Sequence, residues 1–237
     1  MKVLVSLVSF IALLLVLLPG PLYRFGIAEL STAFMLFRFG LYAGVLALVL
    51  LLIQVIFKRK TITLTSALTA VIFSAIAIIV PLSMMTTAQK VPPIHDISTD
   101  LDNPPEFVAI APLRADAANP VAYAGAETAE QQRQAFPELQ TLNYPQSQSE
   151  LIAAAEQAAN NLSWDIVNVD GNAGIIEATD TTMWFGFKDD VVIRVTDDGS
   201  ERLLDIRSKS RVGKSDLGKN ADRIRSFIEE LDGVLGE

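Results

Sequence analysis

The chain has 237 residues, a formal net charge of −8, 51% apolar residues and no cysteine. Disulfides and thiolate metal sites are therefore excluded. Residues 1–90 hold one acid, Glu29, and seven cations, whereas residues 91–237 hold twelve cations against 26 acids. That split reads as a membrane part followed by an acidic, water-soluble part, which is not expected to have a nucleic-acid partner.

Three apolar runs fill the first part: Val3 to Leu18, Gly40 to Phe57 and Leu64 to Leu82. A bilayer core about 30 Å thick takes roughly 20 helical residues, so three transmembrane helices are expected within a membrane domain of 1–90. The first run also has the outline of a secretory signal, but "LLPGPLYRF" offers no small-x-small cleavage site, so the span is expected to be retained. Lys58, Arg59 and Lys60 lie in the short link between spans two and three. Positive charge favours the cytoplasmic side, which would put everything after span three outside the cytoplasm. In a Gram-negative cell that means an inner-membrane protein with a periplasmic C-terminal domain. The first loop, with Phe25, Ile27, Phe34 and Phe37, reads either as an interfacial helix around Ile27 to Arg38 or as an extension of span two. Spans two and three carry no ionisable group, which argues against an ion-coupled transporter. Gly40 and Gly44, and the stripe Ser66, Ala70, Ser74, favour close packing inside the bundle over dimerisation.

Residues 91–146 repeat proline at 92, 93, 104, 105, 112, 120, 137 and 145. They read as an irregular linker lying against the folded domain, with one short helix from Ala126 stopped by Pro137. His95, Asp96, Asp100, Asp102 and Asn103 form its polar cluster. Oxygen ligands of this kind suit calcium, but the spacing is not that of an EF-hand loop, and Asx-turns explain the same residues. No metal or cofactor is expected. The single histidine has no visible triad partners.

From 147 the pattern is regular. Ser147 or Ser149 can cap a helix with Leu151, Ile152, Ala155, Ala158 and Leu162 on one face. Strand patterns follow from Trp164, Ile175, Val191 and Glu201, with turns expected at "GNAG", at "KDD" (188–190) and at "DDGS" (197–200). A final helix is expected from Asn220 as cap, with Ile224, Phe227, Ile228 and Leu231 as its buried stripe. Helix, antiparallel strands, helix gives an α+β fold over 147–237, a two-layer sandwich with both helices on one face of the sheet.

Asp205 to Phe227 concentrates seven of the cations of this acidic part. Alternation along a strand puts Leu204, Ile206, Ser208 and Ser210 on one face and Asp205, Arg207, Lys209 and Arg211 on the other, facing outward or into a groove. Lys214, Ser215, Asp216 and Asn220 crowd the turn into the helix, whose free N–H groups can hold an anion. "GKS" at 213–215 shares the end of a P-loop, but Ser208 stands where that motif needs glycine. Two readings are open. The run is an ion-pair network that fixes the fold, or it is a ligand site.

"FKDDVVIRV" followed by "DIRSKSRVGKSDLGKNADRI" resembles the signature of an uncharacterised bacterial family, domain of unknown function 1499, in a membrane-anchored form. The matching positions are Asp189, Asp190, Arg207, Ser208, Ser210, Arg211, Gly213, Ser215, Asp216, Gly218, Asn220 and Arg223, over roughly the last 150 residues. The resemblance implies a shared fold and a shared polar surface built around an Asp-Asp turn. It implies no activity, and the cysteine of many relatives has no counterpart here.

The expected function is binding of an anionic lipid or glycan, or of an envelope protein. Arg207, Arg211 and Arg223 would supply charge, Ser208, Ser210, Ser215 and Asn220 hydrogen bonds, and Asp189, Asp190 and Asp216 orientation. A hydrolase using those aspartates and a serine, and a structural scaffold, are the alternatives.

Overall fold

The computed structural model describes residues 2–197, 199 and 201–236. The turn expected at 197–200 includes Asp198 and Ser200, which lie outside them. Two compact units result: Met1–Gln89 with Met183–Gly186, and Lys90–Thr182 with Phe187–Glu237.

The first unit contains α1 (Lys2–Leu17), α2 (Pro19–Arg24), α3 (Leu30–Lys58) and α4 (Leu64–Ala88). Lys2–Arg24, α3 and α4 are each long and apolar enough to cross a membrane. Of the two readings of the first loop, the continuous α3 fits the extension of span two. The small residues set the helix spacing. A Cβ on Gly40 would stand 2.6 Å from Val16 Cγ2 and 3.2 Å from the Ala12 carbonyl; one on Gly44 would meet Ala77 Cβ at 3.1 Å and the Ser74 carbonyl at 3.2 Å. Gly40 and Gly44 therefore serve packing inside the bundle, as do buried Ala70 and Ser74. At the start of α4, Thr63 and Ser66 form a reciprocal cap.

The second unit holds β1 (Asp96–Ser98), α5 (Ala126–Ala135), β2 (Leu142–Tyr144), α6 (Gln148–Asn161), β3 (Asp165–Asp170), β4 (Ile175–Thr181), β5 (Lys188–Asp197), β6 (Arg202–Ser210) and α7 (Lys219–Leu235). All pairings are antiparallel, in the order β1-β6-β5-β4-β3, with β2 also on β6. Ser147 caps α6 by accepting from the Glu150 N–H, while the Glu150 carboxylate takes the Ser147 N–H. The apolar sides of α6 and α7 lie on one face of the sheet. Leu151, Ala155, Ala158, Ile224, Phe227 and Leu231 meet Ile176, Val191, Ile193, Leu204 and Ile206 in one core. Burying each large aliphatic or aromatic side chain there contributes roughly 1.5–3 kcal/mol.

The segment 91–146 is more than a linker. It supplies β1 and β2 to the sheet, and residues 99–125 cross the sheet face opposite the helices. There Phe107 and Ile110 pack on Val192, and Val121 and Ile175 pack against that cluster. "KDD" at 188–190 is the start of β5, not a turn, because Thr182–Phe187 makes the reversal, closed by Thr182 N–H to the Phe187 carbonyl.

Candidate functional site

The strand placement of "KDD" decides where the predicted site residues go. In an extended chain, neighbouring side chains point to opposite faces. Asp189 points to the helices and Asp190 to the covering segment. The residues expected to form one polar surface thus belong to two networks, with the sheet between them.

On the helix face, Arg223 of α7 is the hub. Its Nη2 donates to Asp180 and to Asp189, each at 2.7 Å, and its Nη1 donates to Asn220 Oδ1 at 2.7 Å. The Ser208 hydroxyl donates to the same Asn220 oxygen at 2.7 Å, and Asn220 Nδ2 donates to Ser210 Oγ and to the His95 carbonyl. Asn220 is therefore not the cap of α7. Gly218 holds the N-cap position, and the Asp216 carboxylate two residues earlier accepts the Gly218 N–H at 2.8 Å and the Asn220 N–H at 2.7 Å. The amides expected to hold an anion are thus occupied by the chain's own carboxylate. Burial pushes the Asp216 carboxyl above the ordinary aspartate value, against the pull of those two amides. Ser215 stays local and accepts the Leu217 N–H.

On the covered face, two carboxylates each face two cations. Asp96 takes Arg207 Nε at 2.9 Å and Nη2 at 3.0 Å, and Lys209 Nζ at 2.8 Å. Asp190 takes Arg114 at 3.0 Å, Arg211 twice, at 2.9 and 2.7 Å, and the Thr179 hydroxyl at 2.8 Å. Arg207 and Lys209, expected to face outward or into a groove, are 2% and 1% exposed because residues 99–125 lie over them. The same cations fasten the cover: Arg207 donates to the Pro105 and Val121 carbonyls, Lys209 to Ala122, and Arg211 to Leu113. Buried Glu177 accepts the N–H groups of Val108, Ala109 and Ile110. Burial lowers the Lys209 and Arg114 pKa values, with Asp96 and Asp190 respectively the main opposing partners.

Sequence reasoning missed Asp96 as an ion-pair partner, Arg114 and Glu177. Two of the three carried a signal. Glu177 interrupts an apolar strand, and Arg114 is the first cation after Lys90, in an otherwise uncharged "IAPLRA". The polar cluster at 95–103 is explained by turns and pairing. Asp100 Oδ1 accepts the Asp102 and Asn103 N–H groups, and no group of three or more potential metal ligands occurs among the described residues.

A cleft of about 430 Å³ opens in the covering segment, lined by Asp102, Asn103, Glu106, Phe107, Tyr123 and Arg207 among others. Its inner end is the Arg207 guanidinium, 4.9 Å from the Phe107 ring centre and 5.3 Å from that of Tyr123. Of the predicted site residues, only Arg207 reaches it.

Long apolar helices joined to an antiparallel α+β domain with an internally paired polar network define a membrane protein carrying a domain of unknown function. The family model described as "Protein of unknown function (DUF1499)" matches residues 96–231, and the chain belongs to that family. No curated protein matches the sequence.

Proposed function

We propose that this is a bacterial inner-membrane protein whose C-terminal domain lies outside the cytoplasm and binds an envelope component in the cleft above Arg207, without turning it over. Lys58 and Lys60 beside the α3–α4 link support the orientation through the bias of cationic loops to the cytoplasm. The cleft carries the binding reading. It is of small-ligand size, and Arg207 of the predicted cationic run stands at its inner end.

The anionic lipid or glycan and the envelope protein expected from the run's charge meet a narrower site than that charge implied. Arg211 and Arg223 are spent on Asp190, Asp189 and Asp180. The scaffold reading draws its support from this pairing, which fixes the domain's shape without a ligand. The hydrolase reading has no geometric support. Asp189 and Asp190 sit in ion pairs, Asp216 accepts the Gly218 and Asn220 N–H groups, Ser208 is committed to Asn220, and none of these lines the cleft.

The test is calorimetric titration of the full-length protein in nanodiscs. Glycerol phosphate serves as the lipid-headgroup probe and N-acetylglucosamine oligomers as the glycan probe. Binding of at least one, lost when Ala122→Trp fills the cleft, is expected. Binding of neither, or unchanged binding in a folded Ala122→Trp protein, would remove the reading.

A further inference from the structure

Resting on the reading of the cleft as a binding site, we infer that its ligand is a net-neutral, hydroxyl-rich molecule: a sugar unit rather than an anion or an amine. Three observations converge. The outer end is acidic. Glu106 is exposed, and so is Asp102, whose carboxylate stands 3.7 Å from the half-exposed Arg133 guanidinium, so a free anion approaches against two carboxylates of which one is partly offset. The inner end has the opposite sign. Asp96 alone faces both Arg207 and Lys209, so an ammonium is repelled there. A ligand spanning both ends therefore gains nothing from net charge of either sign.

The third observation is the hydrogen-bonding capacity left over. Arg207 directs four of its five N–H groups to Asp96, Pro105 and Val121. The buried Tyr123 hydroxyl has no hydrogen-bond partner among the described residues. Burial and the neighbouring Asp96 push its pKa up to about 12, so it stays a neutral O–H that both donates and accepts. Asn103 adds an amide, and Asp102 and Glu106 add acceptors. A lining that mixes donors and acceptors over a short depth is matched by a group that is itself both. Hydroxyls are that group, and a buried hydroxyl that lacks a partner is costly until one arrives.

Tyr123→Phe isolates the claim. It deletes only an unpaired oxygen, so the domain should fold and keep or slightly raise its stability, and a merely structural tyrosine would show nothing further. Full-length protein in nanodiscs is titrated with N-acetylglucosamine, inorganic phosphate, ethanolamine and glycerophosphoethanolamine. The expected result is binding of the sugar alone, weakened at least tenfold by Tyr123→Phe and abolished by Ala122→Trp. Stronger binding of phosphate, ethanolamine or the zwitterion, or sugar binding indifferent to Tyr123→Phe, overturns the inference. A charged probe that binds in an Ala122→Trp-sensitive way leaves the cleft as the site and removes only the neutral-ligand claim. If none of these probes binds, the inference fails. Whether the cleft is the site is then decided by glycerol phosphate and the sugar oligomers.

Discussion

Asp189 and Asp190 are adjacent in the chain and serve opposite faces of one sheet. Asp189 meets Arg223 at 2.7 Å under the helices, and Asp190 meets Arg211 at 2.7 Å under the segment 99–125. The pair thus fastens two layers to β5 at one point, which explains why a single polar run in the sequence produces two networks. Removing one member of a buried pair leaves the other's charge without compensation, at about 3–5 kcal/mol.

Asp190→Asn is expected to destabilise the domain by about that amount, because Arg114 and Arg211 lose their shared carboxylate. Combining it with Arg211→Met should cost less than the sum of the two single changes, since they share one interaction. Chemical denaturation of the full-length protein in detergent, followed by tryptophan fluorescence, measures both. A loss below about 1 kcal/mol for Asp190→Asn would contradict the network's structural weight.

The α6 cap gives a pH dependence of definite sign. The Ser147 hydroxyl and N–H hold the exposed Glu150 carboxyl below the ordinary glutamate value of 4.5. As pH falls, the unfolded chain takes up this proton before the folded one does. The contribution is therefore present above about pH 4.5 and is lost below it. Between pH 6 and pH 4, wild type should lose more stability than Glu150→Gln, as read by thermal melts. Ser147→Ala should cost about 1 kcal/mol at neutral pH. Parallel melting curves for wild type and Glu150→Gln would reject the assignment.

In the helical unit, Gly40→Leu puts a side chain where even a Cβ stands 3.2 Å from the Ala12 carbonyl. Backbone cannot yield as a rotamer can, so α1 and α3 must separate. The expected outcome is loss of the folded bundle, seen as aggregation in detergent gel filtration, with the surface variant Leu52→Ala as the unaffected control. A monodisperse, normally melting Gly40→Leu protein would contradict the interhelical role.

Much of this architecture can be read along the chain, because local periodicity carries it. Ile224, Phe227 and Leu231 on one side of α7, and Leu204 and Ile206 alternating with Asp205 and Arg207 on β6, fall on the faces that their spacing predicts. The destination of Arg207 and Lys209 was not legible. Alternation says which face a side chain takes, but what covers that face is decided by residues about a hundred positions earlier, in a proline-rich segment with no period to read. The pairing of Asp96 with Arg207 spans 111 residues. Likewise, the Asp-Asp pair resembles a turn signal, and its strand position follows from cross-strand pairing with Ser210 and Lys209 rather than from propensity.

One labelling experiment bears on orientation and cleft together. The chain has no cysteine, so Ala122→Cys introduces its only thiol, at the exposed edge of the cleft. A membrane-impermeant maleimide is added to intact spheroplasts expressing the full-length protein, with and without N-acetylglucosamine. The account predicts rapid labelling without lysis, slowed by the sugar. Labelling only after the inner membrane is broken would contradict an outward-facing domain, and a rate indifferent to every offered ligand would contradict a binding cleft.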